Sequence, residues 1–188
     1  MPYDTGVEYL ESTGTQYIDT QYHGNTTRTR VDMKITIIGS GTQFICGSRN
    51  TPYKIENDSC AFLYYQSALR ADWATGKGIS GTINVSRNTP IDVSITRGEC
   101  VVDGVTHTYA NNTSINQNNT LLLFTISDSL TSGFVGKIHY FKIYDNNALV
   151  MDLIPVRVGQ VGYMYDKVSG NLYGNSGSGS FILGNDVN

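Results

Sequence analysis

Residues 64 to 73, YYQSALRADW, gather tyrosines, an arginine, an aspartate and the only tryptophan of the chain. These side-chain types recognise polyhydroxylated ligands. Aromatic faces lie against the C–H surface of a sugar ring, while planar polar groups beside them take its hydroxyls. Tyr65, Arg70 and Trp73 are the candidate glycan-binding residues, because they combine apolar plates with a fixed donor fork. Tyr53 and Asn57, in the loop before them, would form a rim. A structural alternative stays open at this point: Trp73 fills the core, and Arg70 pairs with Asp72 or lies along the surface.

Catalytic patterns are missing from the sequence. Glycan hydrolysis needs two carboxyl groups roughly 5–9 Å apart, which an E-x-D-x-x-E strand supplies by alternation. No such run occurs. Glu99 and Asp103 in ECVVDG come nearest, but Asp103-Gly104 is a turn signal, so these read as solvated acids at a hairpin. There is no G-x-S-x-G, no H-E-x-x-H and no phosphate loop, and His23, His107 and His139 are isolated. The sequence predicts a non-enzyme with no catalytic residues. Asp58, Asp103 and Asp128 are scattered, so no cofactor is expected and calcium has little support. Cys46, Cys60 and Cys100 form no CxxC pair and read as buried free thiols of a protein folded in a reducing cytosol.

Composition narrows the class further. The chain has 188 residues, a net charge of −3 and 15% charged residues, so nothing attracts nucleic acid by bulk electrostatics. No apolar run approaches the roughly 20 residues that span a bilayer. The start, MPYDTGVEYLESTGTQ, has neither a basic head nor an apolar core, so no secretory signal is read there. Asn, Thr, Ser, Gly and Tyr are abundant, whereas the residues that fill exposed helix faces are scarce.

The elements that would position the candidate residues are strands. RTRVDMKITII, residues 28 to 38, alternates with Val31, Met33, Ile35 and Ile37 inward. Residues 90 to 96 alternate likewise through Ile91, Val93 and Ile95. Residues 8–11 and 15–20 read as a first extended pair, and Leu121 to Ile126 as one fully apolar strand. Residues 60–66 and 68–73 read as paired neighbours. FVGKIHYFKIYDNNALVMDLIP, residues 134 to 155, reads as a hairpin from the interior of the domain. Its first strand would put Ile138, Tyr140, Lys142 and Tyr144 on one side and Lys137, His139, Phe141 and Ile143 on the other. Asp145-Asn146-Asn147 would reverse the chain, and Pro155 would stop the return strand. Turn signals recur about every 8–12 residues, as in a sandwich or jelly roll. Ile35, Ile37, Leu122, Phe124, Ile138, Phe141, Ile143 and Leu153 are the expected core.

EYLESTGTQYIDT near the start, GKIHYFKIYDNNALVMDLIPV, and YDKVSGNLYGNSGSGSF at the end occur in an order and spacing that resemble LamG-like jelly-roll domains. These belong to the concanavalin A-like lectin/glucanase superfamily and are common in phage and prophage structural proteins and in surface proteins of gut bacteria. Val156-Arg157-Val158 departs from the pattern, where such domains often carry Cys or small polar residues. The resemblance implies an all-β, antiparallel jelly-roll β-sandwich over residues 1–188, with a turn-rich wrapping segment at about 156–188. It implies two curved sheets, the first strand pairing near the late hairpin, and a superfamily in which many members bind glycans. The function expected from it is an outward-facing bacteriophage virion accessory protein: capsid decoration, head fibre or tail-associated. Its partners would be capsid or tail proteins, further copies of itself and host-surface glycans, with no nucleic acid and no membrane. It would be made in the host cytoplasm and reside in the virion. The alternative is the carbohydrate-binding module of a bacterial surface or secreted protein.

Overall fold

Alternation decides the longest strands, and tight turns decide where they end. The computed structural model describes residues 1–50, 59–65, 68–73, 83–109, 114–126 and 132–187. In chain order the strands are β1 (Thr5–Val7), β2 (Leu10–Thr13), β3 (Ile18–Asp19), β4 (Thr29–Ile37), β5 (Gln43–Arg49) and β6 (Ser59–Tyr65). They continue as β7 (Ala68–Trp73), β8 (Ile83–Asn84), β9 (Pro90–Thr96), β10 (Glu99–Val102), β11 (Val105–Thr108) and β12 (Leu122–Leu123). The last are β13 (Val135–Asp145), β14 (Ala148–Val158), β15 (Val161–Asp166), β16 (Leu172–Tyr173), β17 (Ile182–Leu183) and β18 (Asp186–Val187). Among the described residues there is no helix, and so none long and apolar enough to cross a membrane.

The strands build two sheets. The larger runs β11-β10-β9-β4-β13-β14-β1-β18, with β2, β15, β16 and β17 paired alongside, and the smaller runs β3-β12-β5-β6-β7-β8. The ladders are antiparallel. The chain is the expected all-β antiparallel sandwich, with β1 and β2 pairing β14 and β13 of the late hairpin. Asn146 and Asn147 turn that hairpin at φ 47° and 65°, and Asp103-Gly104 turns its own at φ 46° and 80°. Both are two-residue turns with positive φ at each central position, which Asn, Asp and Gly tolerate best.

The core lies between the sheets. Val31, Met33, Ile35, Ile37, Ile138, Phe141, Ile143 and Leu153 from the larger sheet meet Ile45, Phe62, Tyr64, Leu69 and Ala71 from the smaller. Phe124 closes one side, 6.1 Å from the Phe134 ring and 5.1 Å from that of Phe181. Cys46 and Cys100 are buried free thiols, and burial with the Glu99 charge nearby pushes the Cys100 thiol up to about 12.

The structure corrects several strand assignments. β2 and β3 are not a pair; they belong to different sheets. The buried Gln16 side chain steers the crossing: its Oε1 accepts from Thr13 N at 2.8 Å and from Ser12 Oγ at 3.0 Å. β12 is only Leu122–Leu123, because Phe124 has φ 69° and leaves the strand. Leu122 is buried but stands outside the main core cluster, which takes Leu121, Leu123 and Phe124 instead.

Pro155 does not end β14, which runs on to Val158. Asp152 turns its N–H and C=O toward β15, where the N–H meets Asp166 and the C=O accepts from Lys167. Alternation then points position 155 the other way, as it does Arg157, whose carbonyl accepts from Asp4 N at 2.9 Å. There Pro155 faces the gap between the last β13 partner, Leu153, and the first β1 partner, Val156. A missing N–H costs nothing at that place.

The two-sided reading of β13 holds only up to a bulge. Ile138 pairs with Ile35 and Tyr140 with Lys34, so His139 is an extra residue. Before it Ile138 faces the core; after it Phe141 and Ile143 do. Ile138 therefore does not share a face with Tyr140. The bulge sits where β13 exchanges one edge partner, β2 at Val135–Ile138, for another, β14 at Phe141–Asp145.

Candidate functional site

On the side of the smaller sheet away from the core, register lines up Asp19, Leu122, Gly47, Ala61 and Asp72 across β3, β12, β5, β6 and β7. In the next row Phe44 and Arg70 stand on this face. Gly47 and Ala61 put small residues at the centre of this face. Ala61 and Ile126 form a second apolar cluster, separate from the main core, against which Phe44 and Tyr65 pack. Tyr65 and Arg70 approach diagonally across the β6–β7 hairpin, with the guanidinium 6.0 Å from the ring centroid. Arg70 Nε donates to Asp72 Oδ1 at 2.8 Å, with side-chain exposures of 34% and 13%. A carboxylate two residues along the same face thus fixes the guanidinium plane.

This brings together two of the four residues expected at a glycan site, Tyr65 and Arg70. Trp73 ends β7 in register with Cys60, but its side chain lies outside the described residues, as do Tyr53 and Asn57. The structure adds Phe44 and Arg49, whose guanidinium is 5.8 Å from the Phe44 ring. The sequence reads Cys46 as a buried thiol and assigns Phe44 no role. A bulge between Phe44 and Cys46 lets Ile45 and Cys46 both face the core while Phe44 turns to the other side. No local pattern announced it.

Glu99 and Asp103 do not converge as a catalytic pair. Both are exposed, and Asp103 Oδ1 accepts from Asp92 N at 2.9 Å, which ties the turn to β9. Among the described residues, no group of three or more His, Cys, Asp or Glu could hold a metal ion. His139 has a structural post on the bulge. Its Nδ1 is 3.1 Å from Glu8 O and its Nε2 3.0 Å from Thr36 Oγ1. A carbonyl only accepts, so Nδ1 carries the proton and Nε2 of the neutral ring accepts from the Thr36 hydroxyl. Burial holds this imidazole below its ordinary value.

The end motifs that carry the resemblance are scaffold. Ser178 N donates to Thr15 O at 2.9 Å and Ser176 N to Tyr17 O at 2.8 Å, so GNSGSGS clasps the STGTQY turn. Asn175 Oδ1 accepts from Tyr17 N at 3.1 Å and from Gly177 N at 2.9 Å. None of these groups faces the Tyr65–Arg70 surface.

No family model matches the chain, and no curated protein sequence matches it. Among solved structures it is similar to a candidate carbohydrate-binding protein from Bacteroides ovatus, with a TM-score of 0.59 and 10% identity. The match covers 96% of this chain and 60% of that one, so the chain spans about 60% of the length of that protein. At this identity the likeness is one of fold.

Proposed function

We propose that this chain is a non-enzymatic carbohydrate-binding β-sandwich whose ligand lies on the outer face of the smaller sheet. The observation that carries this reading is the Tyr65–Arg70–Asp72 arrangement: an aromatic ring beside a guanidinium held in one plane by a carboxylate. A sugar ring would stack on Tyr65, while Arg70 and Asp72 meet its hydroxyls. Trp73 and Tyr53 extend the same proposal along the hairpin and its preceding loop. The fold shared with a candidate carbohydrate-binding protein supports it. Hydrolysis is not part of the proposal: among the described residues Asp72 is engaged by Arg70, and Asp19, the other acid of its row, stands four strands away.

The setting we propose is an outward-facing domain of a phage virion, attached to capsid or tail proteins. What supports that setting is the resemblance of three motifs, two near the ends and one in the late hairpin, to domains of phage structural proteins. A carbohydrate-binding module of a bacterial surface protein is supported by the likeness to a longer chain from Bacteroides ovatus. One shallow patch binds weakly, with a dissociation constant of about a millimolar to tens of micromolar. Many copies on one particle would turn that into firm adhesion. The test is a glycan array probed with a multivalent display of the chain, wild type against Tyr65→Ala, Arg70→Ala and Trp73→Ala, each checked for an intact fold. Loss of a wild-type signal in these variants is expected. An undiminished signal in all of them overturns the site.

A further inference from the structure

The bulge at His139 reshapes the opposite side of the sandwich. Without it, Lys137 and His139 would face away from Tyr140, Lys142 and Tyr144, since strand neighbours alternate. The extra residue instead turns His139 and Tyr140 to the same outer face. One strand therefore presents Lys137, His139, Tyr140, Lys142 and Tyr144 in succession, a track of roughly 20 Å at strand spacing.

Two depressions lie along this track, one at either side of the His139–Tyr140 step. One, of about 450 Å³, is lined by Tyr9, Thr36, Asn88, Lys137 and His139 among others. The other, of about 420 Å³, is lined by Asp32, Tyr140, Lys142, Tyr144, Asp152 and Lys167 among others. Each is in the size range of small-ligand sites, roughly 300–1,000 Å³.

The charges on this face select the ligand. Lys142 stands in register between Asp32 and Asp152, 3.8 Å from the latter, and Lys167 reaches Asp152 at 2.9 Å. Arg30 meets Asp32 at 3.2 Å, Lys34 meets Asp92 at 3.6 Å, and Lys137 meets Glu11 at 3.7 Å. Ser94 Oγ donates to Asp32 at 2.7 Å and Tyr140 OH to Asp92 at 2.8 Å. Cations and carboxylates thus alternate and pair. An anionic polymer would have to break these pairs, and an apolar ligand would strip water from polar groups without replacing it. Hydroxyl groups both donate and accept, so a polyol can bridge carboxylate and ammonium together. Tyr140 and Tyr144 supply the rings. Arg30 lies 3.8 Å over Tyr144 and holds it in place.

We infer that the outer face of the larger sheet, along β13, is a second saccharide site that takes an uncharged oligosaccharide of several units. It uses none of the residues of the Tyr65–Arg70 face and stands on the other side of the sandwich. One domain would then engage two glycan strands and link them.

The inference is tested by amide chemical-shift mapping on the full chain, using xylohexaose, cellohexaose, maltohexaose and mannohexaose as neutral probes and hexagalacturonate as the charged one. The expected result is that a neutral probe moves amides of residues 137 to 144, and that Tyr140→Ala weakens this binding about tenfold, near 1.4 kcal/mol. Tyr140→Phe, which keeps the ring and loses only the bond to Asp92, guards against a folding defect and should bind within a few fold of wild type. Arg70→Ala should leave these shifts unchanged. Movement confined to residues 61 to 72 overturns the second site and leaves the first standing. Movement of 137 to 144 alone upholds the second site and removes the first. A response there to hexagalacturonate only, or to no probe, overturns the inference.

Discussion

The main-chain N–H of Asp152 donates to the Asp166 carboxylate at 2.8 Å, which clips the middle of β14 to the end of β15. The same carboxylate accepts from Val168 N and Ser169 N, each at 3.1 Å, and from Ser169 Oγ at 2.6 Å. DKVSG is thus a turn wound around one buried side chain. It also brings Lys167 beside Asp152, at one end of the β13 track.

That arrangement makes acid stability readable at one residue. Burial alone would raise the Asp166 carboxyl, but its hydrogen bonds outweigh burial and hold it below the ordinary 3.8. The unfolded chain then takes the proton more readily than the folded one. The contribution is complete above 3.8 and fades as pH falls through the lower folded value. Asp166→Asn should cost about 1–3 kcal/mol at neutral pH, since one amide cannot replace all of these bonds. Below about pH 4 the gap in Tm between variant and wild type should narrow. Calorimetry from neutral to strongly acid pH decides it, and a constant gap would refute the assignment.

Core position outweighs hydrophobicity in the second prediction. Phe141 is fully buried within the main cluster, whereas Leu122 is buried outside it. Phe141→Ala should cost about 3–5 kcal/mol. Leu122→Ala should cost clearly less, because the wall it leaves is not that of the main core. Denaturant titration of both variants measures this, and equal losses would contradict the facing assigned to β12.

The third concerns the clasp between the ends of the chain. A Cβ on Gly177 would fall 2.1 Å from the Thr15 carbonyl oxygen, so no side chain fits without parting the two segments. Gly177→Ala should cost about 1–3 kcal/mol. At Gly170, with φ +79° and no neighbour within 4 Å, alanine meets only backbone strain of about 1–2 kcal/mol. Amide hydrogen exchange should show Gly170→Ala keeping protection at the donating amides of Tyr17, Ser176 and Ser178 and Gly177→Ala losing it, while thermal melts give the stability cost of each. Retained protection in Gly177→Ala would mean that the clasp tolerates the substitution.

Features that depend on a single segment were legible in the residues. The alternation of residues 28–38 and 90–96 became β4 and β9, and Asn146-Asn147 and Asp103-Gly104 turned as their φ preferences require. Tyr65 and Arg70 met for the same reason: they belong to one hairpin with a short connection, so register follows from sequence distance. What escaped depends on partners far along the chain. His139 is a bulge because β2 and β14 share one edge of β13, and its ring is held by Glu8 and Thr36. Pro155 is tolerated because its missing N–H meets a gap between two other strands. Phe44 leaves the core through a bulge against β6, and β2 and β3 part because Gln16 is buried between them and the rest of the fold. Period-two alternation assigns faces only while the register is unbroken. A bulge reverses every face after it, and whether one forms is settled by the neighbouring strands.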